Sequence, residues 1–189
     1  MTGACHVSPV YRRKRMALAE SVLDNLMEVV FQTDSSGCWM FLNQAWREMT
    51  GFDLADTLGK RSFDYVHPDD RQQCQALFQS LIAGDADECR KEVRYLQHDG
   101  SIRWVEAFAR PALDEDGQLT GVAGTLADVT KRKAADDKLQ LAANVFMHAG
   151  EGIMITSSAG LIVDVNSAFE TITGYPRDEI LGRSPKLLS

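Results

Sequence analysis

The fold is decided by residues 29–60, VVFQTDSSGCWMFLNQAWREMTGFDLADTLGK, because their pattern returns 123 residues further along the chain. Residues 152–183 read GIMITSSAGLIVDVNSAFETITGYPRDEILGR and align with the first stretch without a gap. An ungapped repeat of this length indicates a duplicated structural unit. The residues that recur in both copies are Thr33 and Thr156, Gly37 and Gly160, Asn43 and Asn166, Ala45 and Ala168, Gly51 and Gly174, and Gly59 and Gly182.

Local patterns in the first copy predict a helix, a hairpin and a second, short helix. Apolar residues at helical spacing between positions 19 and 27 predict an amphipathic helix that needs a partner surface. The apolar runs 29–34 and 38–42 flank a Ser-Ser-Gly turn and predict two antiparallel strands. Asn43 follows as the expected N-cap of the short helix, and Gly51 as its left-handed end.

The first copy continues with a longer helix, which starts at Pro68 and stops at Gly84, and with three strands. If Asp99-Gly100 forms a two-residue hairpin turn, Tyr95 faces Trp104 on the neighbouring strand. Two strands, helices, then three strands predict an α+β fold, a five-stranded antiparallel sheet with its helices on one face. The three last strands are expected at about 91–97, 102–113 and 119–127.

The order and spacing of several motifs resemble the PAS domain family. The resemblance extends from about residue 18 onward, and Asp128-Val129-Thr130 is similar to the Asp-x-Thr end of the family's last strand. The second copy resembles PAS openings common in bacterial sensors. The motifs that carry the resemblance are Val30-Phe31-Gln32-Thr33-Asp34, Asn43-Gln44-Ala45-Trp46, Thr50-Gly51-Phe52, Leu58-Gly59-Lys60, Val66-His67-Pro68-Asp69-Asp70-Arg71 and, in the second copy, Val165-Asn166-Ser167-Ala168-Phe169.

The resemblance implies a cupped sheet whose interior holds haem, flavin, a small metabolite or only its own side chains. Helix 68–83 has no histidine, which disfavours haem, and neither copy has the cysteine that a flavin adduct needs. An interior filled by side chains and a noncovalent flavin stay open, the former favoured, and no metal site is expected. The candidate pocket residues are Asn43, Trp46, Phe63, Tyr65 and Trp104.

The repeat and the resemblance together predict the domain organisation. Residues 1–17 are expected to be disordered or extended, 18–130 to form a complete PAS domain, 131–148 a connecting signalling helix, and 149–189 the truncated N-terminal half of a second PAS domain. Asp128 and Thr130 are expected to act as a signal relay at the start of the connecting helix.

The connecting helix carries Ala135, Leu139, Ala142 and Phe146 at alternating spacings of four and three, which is the pattern of a coiled-coil seam. A plain helix packed on its neighbours is the alternative. The resemblance favours a homodimer through the N-terminal or connecting helix, and a downstream diguanylate cyclase, phosphodiesterase or histidine kinase. A cofactor-free dimerisation module and a flavin-based redox or light sensor are the alternative functions.

Composition narrows the function further. The net charge of −7 disfavours nucleic acid as a partner, and the chain has no apolar run long enough for a membrane span or a secretion signal. The four cysteines lack the paired spacing of zinc and redox sites. No phosphate loop, metalloprotease motif or serine elbow is present. A cytoplasmic, non-catalytic module is expected.

Overall fold

The computed structural model describes residues 22–23 and 25–188, and these residues form two compact units that divide between Lys131 and Arg132. The predicted N-terminal helix lies largely outside the described residues, and so does the stretch 1–17. In the part of the chain that is described, no helix is both long enough and apolar enough to cross a membrane.

The first unit is built on a five-stranded sheet in the order β2-β1-β5-β4-β3, in which every neighbouring pair is antiparallel. The predicted α+β fold class is therefore confirmed, and the strand bounds lie within about two residues of the expected ones. The strands are β1 Val29–Asp34, β2 Trp39–Leu42, β3 Cys89–Leu96, β4 Ile102–Leu113 and β5 Leu119–Asp128.

Helices cover the inner face of this sheet. The longest, α3, starts with Pro68 in its first turn and ends at Gly84, whose φ of 77° is the left-handed conformation that glycine adopts readily. Both ends of α3 lie where the sequence predicts them. The helices of the first unit are α1 Ala45–Thr50, α2 Leu54–Thr57 and α3 Pro68–Ala83, with a 3₁₀ turn at Ser62–Tyr65.

Aromatic rings make up much of the core between the sheet and the helices. The Trp46 ring is fully buried and lies 5.3 Å from the Trp39 ring, 5.2 Å from the Tyr65 ring and 6.1 Å from the Tyr95 ring, measured between centroids. Edge-on and tilted contacts of this kind add to the stabilisation that burial provides. The core therefore depends on α1 and β2 as much as on the long helix.

The hairpin between β3 and β4 corrects one expectation. Tyr95 pairs with Arg103, and Trp104 pairs with Arg94. The predicted Tyr95–Trp104 pair is wrong because the turn contains three residues: Gln97 N donates to Ser101 O at 2.8 Å, which leaves residues 98–100 as the loop. One residue of slip places Tyr95 in the core and Trp104 on the outer face.

Asn43 also differs from its expected role. It does not cap α1, because its Oδ1 accepts a hydrogen bond from Val30 N at 2.9 Å, and its Nδ2 donates to Glu28 O at 3.0 Å and Leu23 O at 2.8 Å. The side chain thus joins the end of β2 to the chain that enters β1. A buried carboxamide with both ends paired in this way ties the two segments together.

The second unit repeats the hairpin of the first. In β6 and β7, Met154 pairs with Val165 and Thr156 with Ile162, which are the counterparts of the β1–β2 pairs Phe31 with Leu42 and Thr33 with Trp39. Its small core consists of Ile162, Val165, Phe169 and Ile180. The elements are β6 Met154–Thr156, β7 Ile162–Val165, α5 Ser167–Thr173, α6 Arg177–Ile180 and a 3₁₀ turn at Pro185–Leu188.

In the second unit, Asn166 has the capping role that its counterpart Asn43 was expected to have in the first. Its Oδ1 accepts from Phe169 N at 3.0 Å, in the first turn of α5, and also from Ile153 N at 2.8 Å. Its Nδ2 donates to Glu151 O at 2.8 Å, so it shares the hairpin bonds of Asn43 and adds a helix cap.

A single helix, α4, spans Thr130–His148. It starts two residues after β5 ends, at the place where the sequence predicts the connecting helix. Within the described residues no side chain of α4 is buried, and Leu139 is 70% exposed. The predicted seam residues all lie in this helix.

Candidate functional site

A cavity of about 80 Å³ lies between the inner face of the sheet and α3. The strands contribute Phe31, Trp39 and Leu126, and the helix contributes Cys74 and Phe78. Lys91 is the one basic or acidic residue among the described lining residues, and it is half-buried at the edge strand β3. The cavity is therefore bounded mainly by hydrocarbon and aromatic surface, which suits an uncharged occupant.

Trp39 is the most unusual residue of the cavity wall. Its side chain is 1% exposed, and its Nε1–H finds no hydrogen-bond acceptor among the residues that the structure describes. Trp46, which packs against it, shows the usual arrangement, because its Nε1 donates to Thr57 Oγ1 at 3.2 Å. Buried donors are nearly always paired, so a free indole N–H on a residue of the cavity wall is unusual.

Burial holds the thiols and the phenol of the cavity wall neutral. Burial raises the pKa of the Cys74 thiol to about 11, with a smaller contribution from the charge of Asp70. Burial likewise raises the pKa values of Cys89 and Tyr95. Thiols with raised pKa values are weak nucleophiles and weak metal ligands, so the two cysteines act here as small apolar wall residues.

Of the five candidate pocket residues, only Phe63 borders the cavity. Trp46 and Tyr65 are buried in the core beside it, and Asn43 joins the two strands of the hairpin. Trp104 lies on the outer face of the sheet, where the Arg94 guanidinium is 5.8 Å from its ring. Contact of these residues with a ligand stays a prediction. Trp39 was missed because the sequence places it in a strand but does not indicate which of its atoms lack partners.

Neither flavin nor haem fits the residues found here. A volume of about 80 Å³ is well below the roughly 300 to 1,000 Å³ of pockets that enclose ligands of drug size. In the described lining there is no histidine to ligate a haem iron. The cavity is of a size for a much smaller molecule.

A second group of residues joins the sheet to α4. Thr130 N donates to Asp128 Oδ1 at 2.9 Å, and the other carboxylate oxygen pairs with Arg103 Nη1. The Thr130 hydroxyl accepts a hydrogen bond from Trp104 N at 3.1 Å. Partial burial opposes ionisation of Asp128, but the hydrogen bonds from Thr130 and the Arg103 ion pair outweigh it, so the pKa of Asp128 is lowered.

This junction, defined as Arg103, Trp104, Asp128 and Thr130, contains both predicted relay residues. Their role in signalling stays a prediction, but they are held to β4 as well as to each other. Arg103 was missed because it lies 25 residues from Asp128 in sequence. The signal that could have found it is the β4–β5 pairing of Val105 with Asp128, which places Arg103 close to the end of β5.

The acidic pair at the start of α3 is structural. Asp70 Oδ2 accepts from Arg94 N at 2.9 Å and from Arg94 Nε at 3.0 Å, and Asp70 Oδ1 accepts from Arg94 Nη2 at 2.6 Å. The side-chain hydrogen bond from Arg94 is the main cause of the lowered pKa of Asp70. These contacts fix the first turn of α3, the helix that borders the cavity, to β3.

Comparisons with known proteins agree with this architecture. A family model described as the PAS fold matches residues 40–126, and another with the same description matches residues 141–188. The chain is 32% identical over 160 residues to sporulation kinase C of Bacillus subtilis (strain 168), covering 82% of this chain and 36% of that protein. It is 29% identical over 170 residues to sensor kinase CckA of Brucella abortus (strain 2308), covering 82% of this chain and 18% of that protein.

The chain thus spans little more than a third of the length of sporulation kinase C and less than a fifth of the length of CckA. Among solved structures, the PAS domain of a protein from Colwellia psychrerythraea superposes with a TM-score of 0.57 at 22% identity, over 62% of this chain and 98% of that one. At this identity the likeness concerns the fold alone. The sheet order, the two family matches and the sequence relatives show that the chain belongs to the PAS domain family, as a sensory module of the kind that signal-transduction proteins carry.

Proposed function

We propose that this chain is a cytoplasmic sensory region in which the contents of the cavity set the conformation at the start of α4. Residues 18–130 act as the sensor, and residues 131–148 carry the change to an output domain of the parent protein. A histidine kinase is the favoured output over a cyclase or phosphodiesterase, because two sequence relatives are kinases by name. The free thiols of Cys38, Cys74 and Cys89 suit a reducing compartment.

One observation carries the proposal: two of the strands that border the cavity, β4 and β5, are the strands that hold α4. Leu126 of β5 and Ala107 of β4 line the cavity and pair with each other, and Asp128 lies two residues beyond Leu126. A change in what fills the cavity acts directly on this strand pair. Because the Asp128 carboxylate and the Thr130 hydroxyl both bond to β4, the start of α4 must follow any shift between the strands.

The proposal is tested by filling the cavity with a side chain. Ala109 lines the cavity from β4, and Ala109→Leu puts extra volume where a ligand would sit. We expect this variant to change amide hydrogen exchange in the first turn of α4. Adding Asp128→Asn and Thr130→Val should remove that response, because the junction can no longer transmit it.

The matched control is Ala123→Leu, which adds the same volume on the outer face of β5, opposite Arg110. It should leave the exchange of the first turn of α4 close to that of the parent. If Ala109→Leu leaves α4 unchanged, or if the response survives the loss of the junction, the sensory coupling is wrong and the chain is a dimerisation module.

Dimerisation through α4 is part of the same proposal. The seam residues Ala135, Leu139, Ala142 and Phe146 lie on one side of the helix, and Leu139 is largely exposed within the described part of the chain. An apolar stripe of this spacing suits the same stripe of a second copy. Two paired α4 helices would then lead into the output domain as a two-stranded coiled coil.

A further inference from the structure

The free indole N–H of Trp39 points to the chemistry of an occupant. The side chain borders the cavity and is 1% exposed, and Nε1 lacks an acceptor within residues 22–23 and 25–188. A molecule in the cavity that presents an acceptor atom would satisfy this donor. Pairing a buried donor in this way is favourable, since the alternative is a buried N–H without any partner.

The wall has few other polar groups: besides Thr33, Cys74 and Cys89, they are the Ser62 and Tyr95 hydroxyls and the Lys91 ammonium group. The Thr33 hydroxyl already donates to Val122 O at 3.4 Å. Cys74 and Cys89 are neutral thiols, which are weak donors. No carboxylate lies among the described lining residues, so a cation would have no counter-charge there.

The volume limits the size of the occupant. A cavity of about 80 Å³ is roughly half the 150 Å³ of an engineered protein cavity that admits benzene. By proportion, a molecule of about three to five non-hydrogen atoms suits this volume.

We infer that the cavity binds a small uncharged molecule, mostly hydrocarbon, whose single carbonyl-type oxygen accepts a hydrogen bond from Trp39 Nε1. Short ketones and aldehydes are the chemical class that combines this size with one acceptor. This inference names the stimulus for the proposed function, and it rests on that function only for the signalling role. Binding of the molecule is measured separately from signalling.

The test uses the ¹⁵N-labelled chain and butan-2-one as the probe. The indole N–H resonances of Trp39, Trp46 and Trp104 are separately observable. We expect butan-2-one to shift the Trp39 resonance saturably and to leave that of Trp46, which is already bonded to Thr57, in place. The hydrocarbon isostere 2-methylbut-1-ene, which has the same shape without the oxygen, should bind roughly fivefold to tenfold more weakly.

Two variants sharpen the result. Trp39→Phe keeps an aromatic ring and removes the donor, so the preference for the ketone over the isostere should disappear. Ala109→Leu should abolish binding of both probes. If Trp39→Phe fails to fold, the comparison of ketone and isostere on the parent chain still decides.

The inference is overturned if butan-2-one produces no saturable shift, if the isostere binds as tightly as the ketone, or if butyrate binds more tightly than either. The last result would assign the site to an anion that pairs with Lys91. Ketone binding that leaves α4 exchange unchanged would contradict the proposed function and uphold this inference. An α4 response to Ala109→Leu without any ketone binding would uphold the proposed function and overturn this inference.

Discussion

At the scale of single residues, Asp70 shows how one carboxylate positions a helix. The first turn of α3 has two acids, but only Asp70 receives three hydrogen bonds from Arg94 of β3. Asp69 makes one longer contact to the same guanidinium, at 3.3 Å, and its side chain is 70% exposed. The two neighbouring residues therefore differ sharply in what they contribute.

We predict that Asp70→Asn lowers the free energy of unfolding at pH 7 by about 1 kcal/mol, a typical value for a partly exposed charged hydrogen bond. The folded-state pKa of Asp70 lies below its ordinary value of 3.8 because Arg94 stabilises the carboxylate. This stabilisation is present above the ordinary pKa and is lost as pH falls through the folded-state pKa. The difference between parent and variant should therefore shrink below about pH 4.

Urea unfolding at pH 7, 5 and 3 measures this difference, with Asp69→Asn as the control. Because Asp69 is mostly exposed, its variant should lose clearly less stability at pH 7. Equal stability of Asp70→Asn and the parent at pH 7 would contradict the assignment. So would a difference that persists undiminished at pH 3.

At the scale of secondary-structure elements, the two hairpins are held by equivalent asparagines. Asn43 Oδ1 accepts from Val30 N, and Asn166 Oδ1 accepts from Ile153 N. Both side chains are buried, at 2% and 0% exposure. Only Asn166 also caps a helix, so the repeat conserves the bond to the hairpin and varies the bond to the helix.

We predict that Asn43→Ala lowers the free energy of unfolding of the first unit by about 2 kcal/mol, since it leaves the half-buried Val30 N–H and the carbonyls of Leu23 and Glu28 without their partner. This is more than the roughly 1 kcal/mol of a lost helix cap. Residue-resolved hydrogen exchange measures it, through faster exchange of β1 and β2.

Asn166→Ala is the matched comparison in the second unit. It should speed exchange in β6 and β7 and, in addition, at the Phe169 amide that it caps. Hairpin exchange that stays at the parent rate in Asn43→Ala would show that the asparagine does not hold the strands.

At the scale of the whole molecule, the exposed helix α4 raises the question of assembly. We predict that the chain forms a dimer through the seam of α4 and that Leu139→Glu keeps it monomeric, because a buried carboxylate at the seam is unfavourable. Sedimentation velocity over a range of protein concentrations measures the association.

Leu141→Glu provides the control, because Leu141 is similarly exposed, at 64%, but lies off the seam. It should dimerise like the parent. A parent chain that stays monomeric at the highest concentration, or two variants that behave alike, would rule out the seam.

The sequence by itself determined the duplication, the fold class and most element bounds. These follow from local causes: alternation in β1, Pro68 and Gly84 at the ends of α3, and glycines at the turns. They need no knowledge of distant residues, which explains why the family resemblance could be stated from motifs alone.

The tertiary structure decided which side chains meet. Whether the β3–β4 turn had two or three residues depended on the Gln97–Ser101 bond, and this choice moved Trp104 to the outer face. Trp39 borders the cavity without a partner, and Arg103 reaches Asp128 across the sheet, because strands far apart in sequence lie side by side. Hydrogen-bond partners over such separations depend on packing and register, which local sequence patterns do not specify.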